Sequence, residues 1–182
     1  TVKVNWIICR DDNGENGWQD IPEFHDQVEL MFQETNDIYG TVEEKGYSVH
    51  CEPDIDYITD TRIRFELNEI IFIDNTEFNN IGFQDSDAPI FEYLDQHYPN
   101  HHKAMNHIFT MGDAEPWGFY GIYGNGDYGT GQYAYVHTFH SMWSPYTVVW
   151  DDHIGHVAHE YGHAVGLGHT YNSEETEVSH YD

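Results

Sequence analysis

Apolar and polar positions alternate from Val2 to Cys9 (VKVNWIIC), and this period of two in a β-rich run predicts a first strand. Asp11 to Gly17 is polar and turn-forming. From Asp20 to Tyr39 the spacing becomes helical: Ile21, Phe24, Val28, Leu30, Met31 and Ile38 form an apolar stripe. Pro22 suits the first turn of that helix and Gly40 its stop. Thr61 to Ile73 (TRIRFELNEIIFI) is strand-like at both ends, with Arg62, Arg64 and Glu66 alternating against Ile63, Phe65 and Leu67. Ala88 to Lys103 reads as a second helix that Pro99 breaks. Asn106 to Met111 (NHIFTM) is a short buried strand. Trp117 to Gly131, rich in Gly and Tyr, reads as a long surface loop or hairpin, because no Lys-Ser/Thr follows its glycines as phosphate cradling requires. Gln132 to Phe139 alternates again as a strand, and Asp151 to Val165 is the last clear helix. Strands and helices interleaved in this order predict a mixed α/β (α+β) layout.

Composition narrows this picture. A chain of 182 residues with 39% hydrophobic and 16% aromatic residues can bury one sizeable core, so a single globular domain is expected. No internal repeat or low-complexity linker divides it. No apolar run approaches the roughly 18 residues of a membrane span. Six Lys and Arg against 33 Asp and Glu give a formal charge of -27. That surface repels nucleic acid and anionic membranes, which excludes both as main partners. The acidity reads either as a soluble, salt-tolerant exterior or as including Ca²⁺ sites. The spaced acidic loop of an EF-hand is missing, so no calcium ligand can be named. Cys9 and Cys51 are too few for a thiolate zinc site. They read as two buried thiols or as one disulfide closing a loop of about 40 residues.

The informative stretch is His159-Glu160-Tyr161-Gly162-His163-Ala164-Val165-Gly166-Leu167-Gly168-His169. On a helix His159 and His163 share one face, so both imidazoles reach one ion. Glu160 is placed to reach the water on that ion. Gly166 is free to take a positive φ, stop the helix and swing the chain back, which delivers His169 as a third nitrogen ligand. Three protein ligands leave one position open, the mark of a catalytic zinc ion. An HExxH segment alone recurs by chance; the added glycine and third histidine make it specific. Glu174, Glu175 and Glu177 are the rival third ligands, unnecessary if His169 serves. His156, with His159 and His163, would span three successive turns and splay the nitrogens too widely. His153 and His156 therefore read as solvated or supporting residues. His97, His101, His102 and His107 lack ligand spacing and read as polar surface histidines.

Residues 159–169 resemble the extended motif of the metzincin clan of zinc peptidases. Thr170 followed by Tyr171, and the segment Asp60 to Leu67, are similar to the pappalysin family within it. The resemblance implies a zincin fold with a twisted mixed sheet, a backing helix and the active-site helix. It also implies that Gln132 to Phe139 is the antiparallel edge strand above the cleft, where Tyr133, Ala134 and Tyr135 pair with an extended peptide. The methionine turn that metzincins carry after the third histidine has no counterpart: Met142 is the last methionine, and 13 residues follow His169. The expected organisation is thus a single catalytic domain over 1–182. Residues 1–166 form an N-terminal subdomain, and 167–182 the start of a shortened or truncated C-terminal one.

The expected activity is hydrolysis of internal peptide bonds of proteins, with Glu160 as general base toward a metal-activated water. A non-catalytic zinc-stabilised binding module, or an inactive fragment, is the second class, and a zinc hydrolase of non-peptide substrates the third. Thr1 does not open a signal peptide. An unrestrained protease suits the outside of a cell or a periplasm, so a secreted chain with its signal removed is expected.

Overall fold

The computed structural model describes residues 1–41, 60–82, 85–112, 135–139 and 151–166. Along the chain these form β1 (Val2–Arg10), α1 (Pro22–Gly40), β2 (Phe65–Asp74), the short α2 (Thr76–Asn79), α3 (Ala88–His97), a 3-10 turn (His101–Lys103), β3 (Met105–Thr110), β4 (Tyr135–Phe139) and α4 (Asp151–Ala164). The four strands make one sheet in the order β2-β1-β3-β4. Every pairing is parallel. The stretch Tyr135–Phe139 is therefore not the antiparallel edge strand expected from Gln132 to Phe139. Residues 111–134 exceed the dozen or so that a parallel crossover needs, and β4 uses that length to run beside β3 in the same sense.

A parallel sheet needs cover on both faces, and β1 shows it most directly. Val4, Trp6 and Ile8 face one hydrophobic cluster, which α1 and α4 cover with Phe24, Val28, Met31, Ile154, Val157 and Tyr161. Ile7 and Cys9 face a second cluster, covered by Ile90 and Leu94 of α3. Burying each such Val, Ile, Leu or Phe side chain contributes about 1.5–3 kcal/mol, so the two-sided strand anchors the molecule.

In β2 one extra residue reconciles two out-of-phase apolar runs. Val4 pairs with Leu67 but Asn5 with Glu69, so Asn68 has no counterpart in β1. A one-residue shift flips the pleat. Phe65 and Leu67 before the bulge therefore share a face with Ile70 and Phe72 after it. The Asn68 amide donates to Asn5 Oδ1 at 2.7 Å, and Asn5 Nδ2 donates onward to Asn106 Oδ1 at 2.9 Å. The buried polar row across β2, β1 and β3 is thereby satisfied.

The helices depart from the sequence expectation at particular positions. In α1 the buried residues are Phe24, Val28, Met31, Phe32, Thr35 and Tyr39, whereas Ile21, Leu30 and Ile38 are exposed. The inward stripe lies one position round the helix from part of the expected one. Helix α3 ends at His97, two residues before Pro99, and the chain resumes as the 3-10 turn at His101 rather than continuing to Lys103 as α-helix. Cys9 is a free, buried thiol; Cys51 lies outside the described residues. Burial, then the negative charge of Asp87, pushes the Cys9 thiol pKa up. Among the described residues no helix is long and apolar enough to cross a membrane.

Candidate metal centre

Helix α4 owes its seat to Ile154, Val157, Ala158 and Tyr161, buried at i, i+3, i+4 and i+7 against the sheet. Two phenol groups add direction to this apolar contact. The Tyr39 hydroxyl of α1 donates to the Ala158 carbonyl at 2.6 Å. The Tyr161 oxygen accepts from Trp6 Nε1 at 3.1 Å and lies 3.0 Å from His107 Nδ1. Burial pushes the pKa of both phenols up, that of Tyr39 to about 12.

With that stripe turned inward, His159 and His163 fall on the flanking face. Their Nε2 atoms approach to 3.0 Å with the rings at 85° to one another. The Glu160 carboxylate lies beside them, its Oε1 3.7 Å from His159 Nε2. Glu160 is buried while the His159 side chain is 44% exposed, so the carboxylate sits on the protein side of the pair and the imidazoles on the open side. One ligand atom from each of the three residues falls within 4.8 Å of the others.

This donor set fits a zinc ion. Zn–N bonds are about 2.0–2.1 Å, so two imidazole nitrogens on one tetrahedral ion stand roughly 3.3 Å apart. The observed 3.0 Å is within a small rotamer adjustment of that value. Neutral imidazoles supply the nitrogen donors such an ion takes, and at this distance the two rings can also share one N–H···N hydrogen bond.

The helix closes where the glycine stands. Val165 N is shared between the Tyr161 and Gly162 carbonyls, Gly166 N donates to His163 O at 2.9 Å, and Gly166 adopts φ +92°. A left-handed residue at this position ends the helix. His169, like Thr170 and Tyr171, lies outside the described residues; so do the side chains of His153 and His156, Tyr133, Ala134, Met142, the Trp117–Gly131 segment and the acidic residues after His169.

Tyr135, expected to pair with a peptide through its main chain, turns its side chain inward. It is buried, and its hydroxyl donates to Asp87 Oδ2 at 2.7 Å. The other Asp87 oxygen meets His137 Nδ1 at 2.9 Å, and His137 Nε2 lies 2.8 Å from Thr110 Oγ1. A polar knot thus ties α3, β3 and β4 together, and what Tyr135 retains for pairing is its main chain.

Two of the histidines expected on the surface are interior. His101 accepts at Nδ1 from Asn106 Nδ2 at 3.0 Å and meets Asp95 through Nε2 at 2.9 Å. His107 is fully buried, its ring stacked on Phe109 at 3.9 Å. The signal was present: a histidine inside the buried run NHIFTM must have polar partners. Trp6 and Tyr161 carried no such signal, since each reads as an ordinary core aromatic.

A family model described as metallo-peptidase family M12 (Reprolysin_5) matches residues 3–182. No curated protein and no solved structure matches the chain.

Proposed function

The chain belongs to metallo-peptidase family M12, and from that premise we propose that it is a zinc-dependent endopeptidase cleaving internal peptide bonds of protein substrates. The observation that carries this reading is the pair of Nε2 atoms 3.0 Å apart on one helix face, with a buried carboxylate beside them.

His159, His163 and His169 would hold the ion, the Gly166 turn bringing the third imidazole round to the first two. When bound, zinc supplies a Lewis acid that acidifies water and polarises a scissile carbonyl. The Glu160 carboxylate takes the proton of the attacking water and passes it to the leaving amine. Its burial keeps competing water away and holds it close to the imidazoles. The main chain of β4, last in the described sheet order, offers an edge along which an extended substrate aligns.

Residues 1–166 then act as the sheet-bearing part of the catalytic domain, with 167–182 beginning the part below the cleft. Action outside the cell or in a periplasm belongs to the same proposal and rests on the hazard of an unrestrained protease. A finer placement near the pappalysins rests on Thr170, Tyr171 and the 60–67 segment, against a family match that names M12.

The test is turnover of a denatured protein by the zinc-loaded chain, with chelator and with zinc restored. Chelator-sensitive cleavage is expected. Glu160→Gln should keep one zinc per chain and lose at least about 100-fold in kcat, since general-base catalysis contributes 10²–10⁴-fold. Full activity in Glu160→Gln, or cleavage indifferent to chelator, would refute the assignment; zinc binding without cleavage would make the chain a binding module.

A further inference from the structure

Between Glu160 and Gly162, at the centre of the HExxH segment, stands a residue that no part of the proposed chemistry uses. Tyr161 is fully buried, and its ring packs 4.8 Å from Phe65 and 6.3 Å from Phe32. A phenylalanine would fill that space equally well. The hydroxyl instead obliges three polar groups from three elements to be buried together: Trp6 of β1, His107 of β3 and Tyr161 of α4, each with no solvent exposure. Burying polar groups costs free energy unless their hydrogen bonds are made, so the trio holds only in one arrangement.

The bonding is determined by chemistry. Indole Nε1 only donates, so the Tyr161 oxygen is the acceptor at 3.1 Å. His107 Nδ1 lies 3.0 Å from the same oxygen and takes the phenol proton or donates its own according to the ring's tautomer, so each of the three atoms has its partner.

We propose that Tyr161 is a positioning residue: its hydroxyl, clamped between the Trp6 indole and the His107 imidazole, fixes the rotation of α4 against the sheet. Apart from the Tyr39 hydroxyl on the Ala158 main-chain carbonyl, which ties α4 to α1 rather than to the sheet, the contact through Ile154, Val157 and Ala158 is apolar; packing of that kind tolerates small rotations that a hydrogen bond does not. A rotation of about 10° moves a group at the helix surface, roughly 6 Å from the axis, by about 1 Å. Misplacement on that scale costs an enzyme up to about 100-fold. The trio therefore sets where Glu160, His159 and His163 stand relative to the β4 edge. In its catalytic consequence this inference rests on the peptidase reading; in its mechanical claim it does not.

The experiment compares wild type with Tyr161→Phe, which keeps the ring and removes only the hydroxyl. With zinc loaded, kcat should fall about tenfold with KM within twofold, while zinc stoichiometry is unchanged. In the metal-free protein, amide exchange over residues 157–165 should quicken at least about fivefold relative to α1. His107→Leu should reproduce both effects and His107→Gln, whose amide can donate to or accept from the phenol, should restore most of each. The double variant Tyr161→Phe/His107→Leu should be no worse than Tyr161→Phe alone, because losing the hydroxyl already breaks the bond that His107→Leu removes. A lower Tm with kcat and α4 exchange unaltered would overturn the proposal and leave the hydroxyl as mere stabilisation. A rise in KM at constant kcat would also overturn it. If wild type shows no chelator-sensitive cleavage, the peptidase reading fails, and the exchange comparison still decides the mechanical claim.

Discussion

Tyr39 ties the backing helix to the helix that carries the histidines, through a 2.6 Å bond to the Ala158 carbonyl. Its pKa is raised from 10.0 to about 12 by burial. A group whose proton is held more tightly in the folded state stabilises the fold fully below the unfolded pKa and loses that contribution as pH rises through the folded one. Tyr39 thus favours the native state up to pH 10 and ceases to do so by pH about 12. Urea unfolding followed across that window should show stability falling with pH. Tyr39→Phe should flatten part of the slope and cost about 1 kcal/mol at pH 8 for the lost hydrogen bond. An unchanged slope would show that the phenol titrates alike in both states.

At the scale of elements, α4 is a helix whose end matters as much as its faces. Its last turn tightens through the shared Val165 N–H, and Gly166 takes φ +92° with no atom of the described residues within 4 Å of the place a Cβ would occupy. The cost of a side chain there is conformational rather than steric. Gly166→Ala should destabilise the fold by about 1–2 kcal/mol, the penalty of left-handed backbone for an L-residue. If His169 is the third zinc ligand, as proposed, zinc affinity should fall as well. Chemical denaturation and competition against a chromogenic chelator measure the two effects. Loss of stability with affinity intact would separate the turn from the metal.

The whole molecule is governed by its charge. With 33 acidic residues against six basic ones, the compact state works against its own repulsion. Raising sodium chloride from about 10 mM to about 1 M shortens the screening length from roughly 30 to 3 Å. If that relieves about 2 kcal/mol, Tm rises by about 4–8 °C in a chain of this size. Scanning calorimetry across the salt series checks it, and a flat or falling Tm would mean that the carboxylates are already neutralised by bound cations. Local pairing offsets little of this repulsion: Arg64 holds the Asp60 carboxyl below its ordinary pKa, but at the surface.

The sequence by itself determined what depends on near neighbours. Periods of two and of 3.6 marked β1 and α1, and a spacing of four placed His159 and His163 on one face of α4, because helix and strand geometry act over a few residues. Only the tertiary structure decided what depends on partners far along the chain. The order β2-β1-β3-β4 and its all-parallel sense follow from crossovers whose direction no local pattern records. Asn68 becomes a bulge because Asn5, 63 residues away, accepts its amide. Leu30 and Ile38 stay outside while Phe32 and Thr35 go in, because the sheet takes up one side of α1 and leaves the other to water. Tyr161 gains direction only where Trp6 and His107 converge on it from two different strands. Hydrogen-bond demand can be read from a residue type, but which distant group meets it is fixed only when the chain closes on itself.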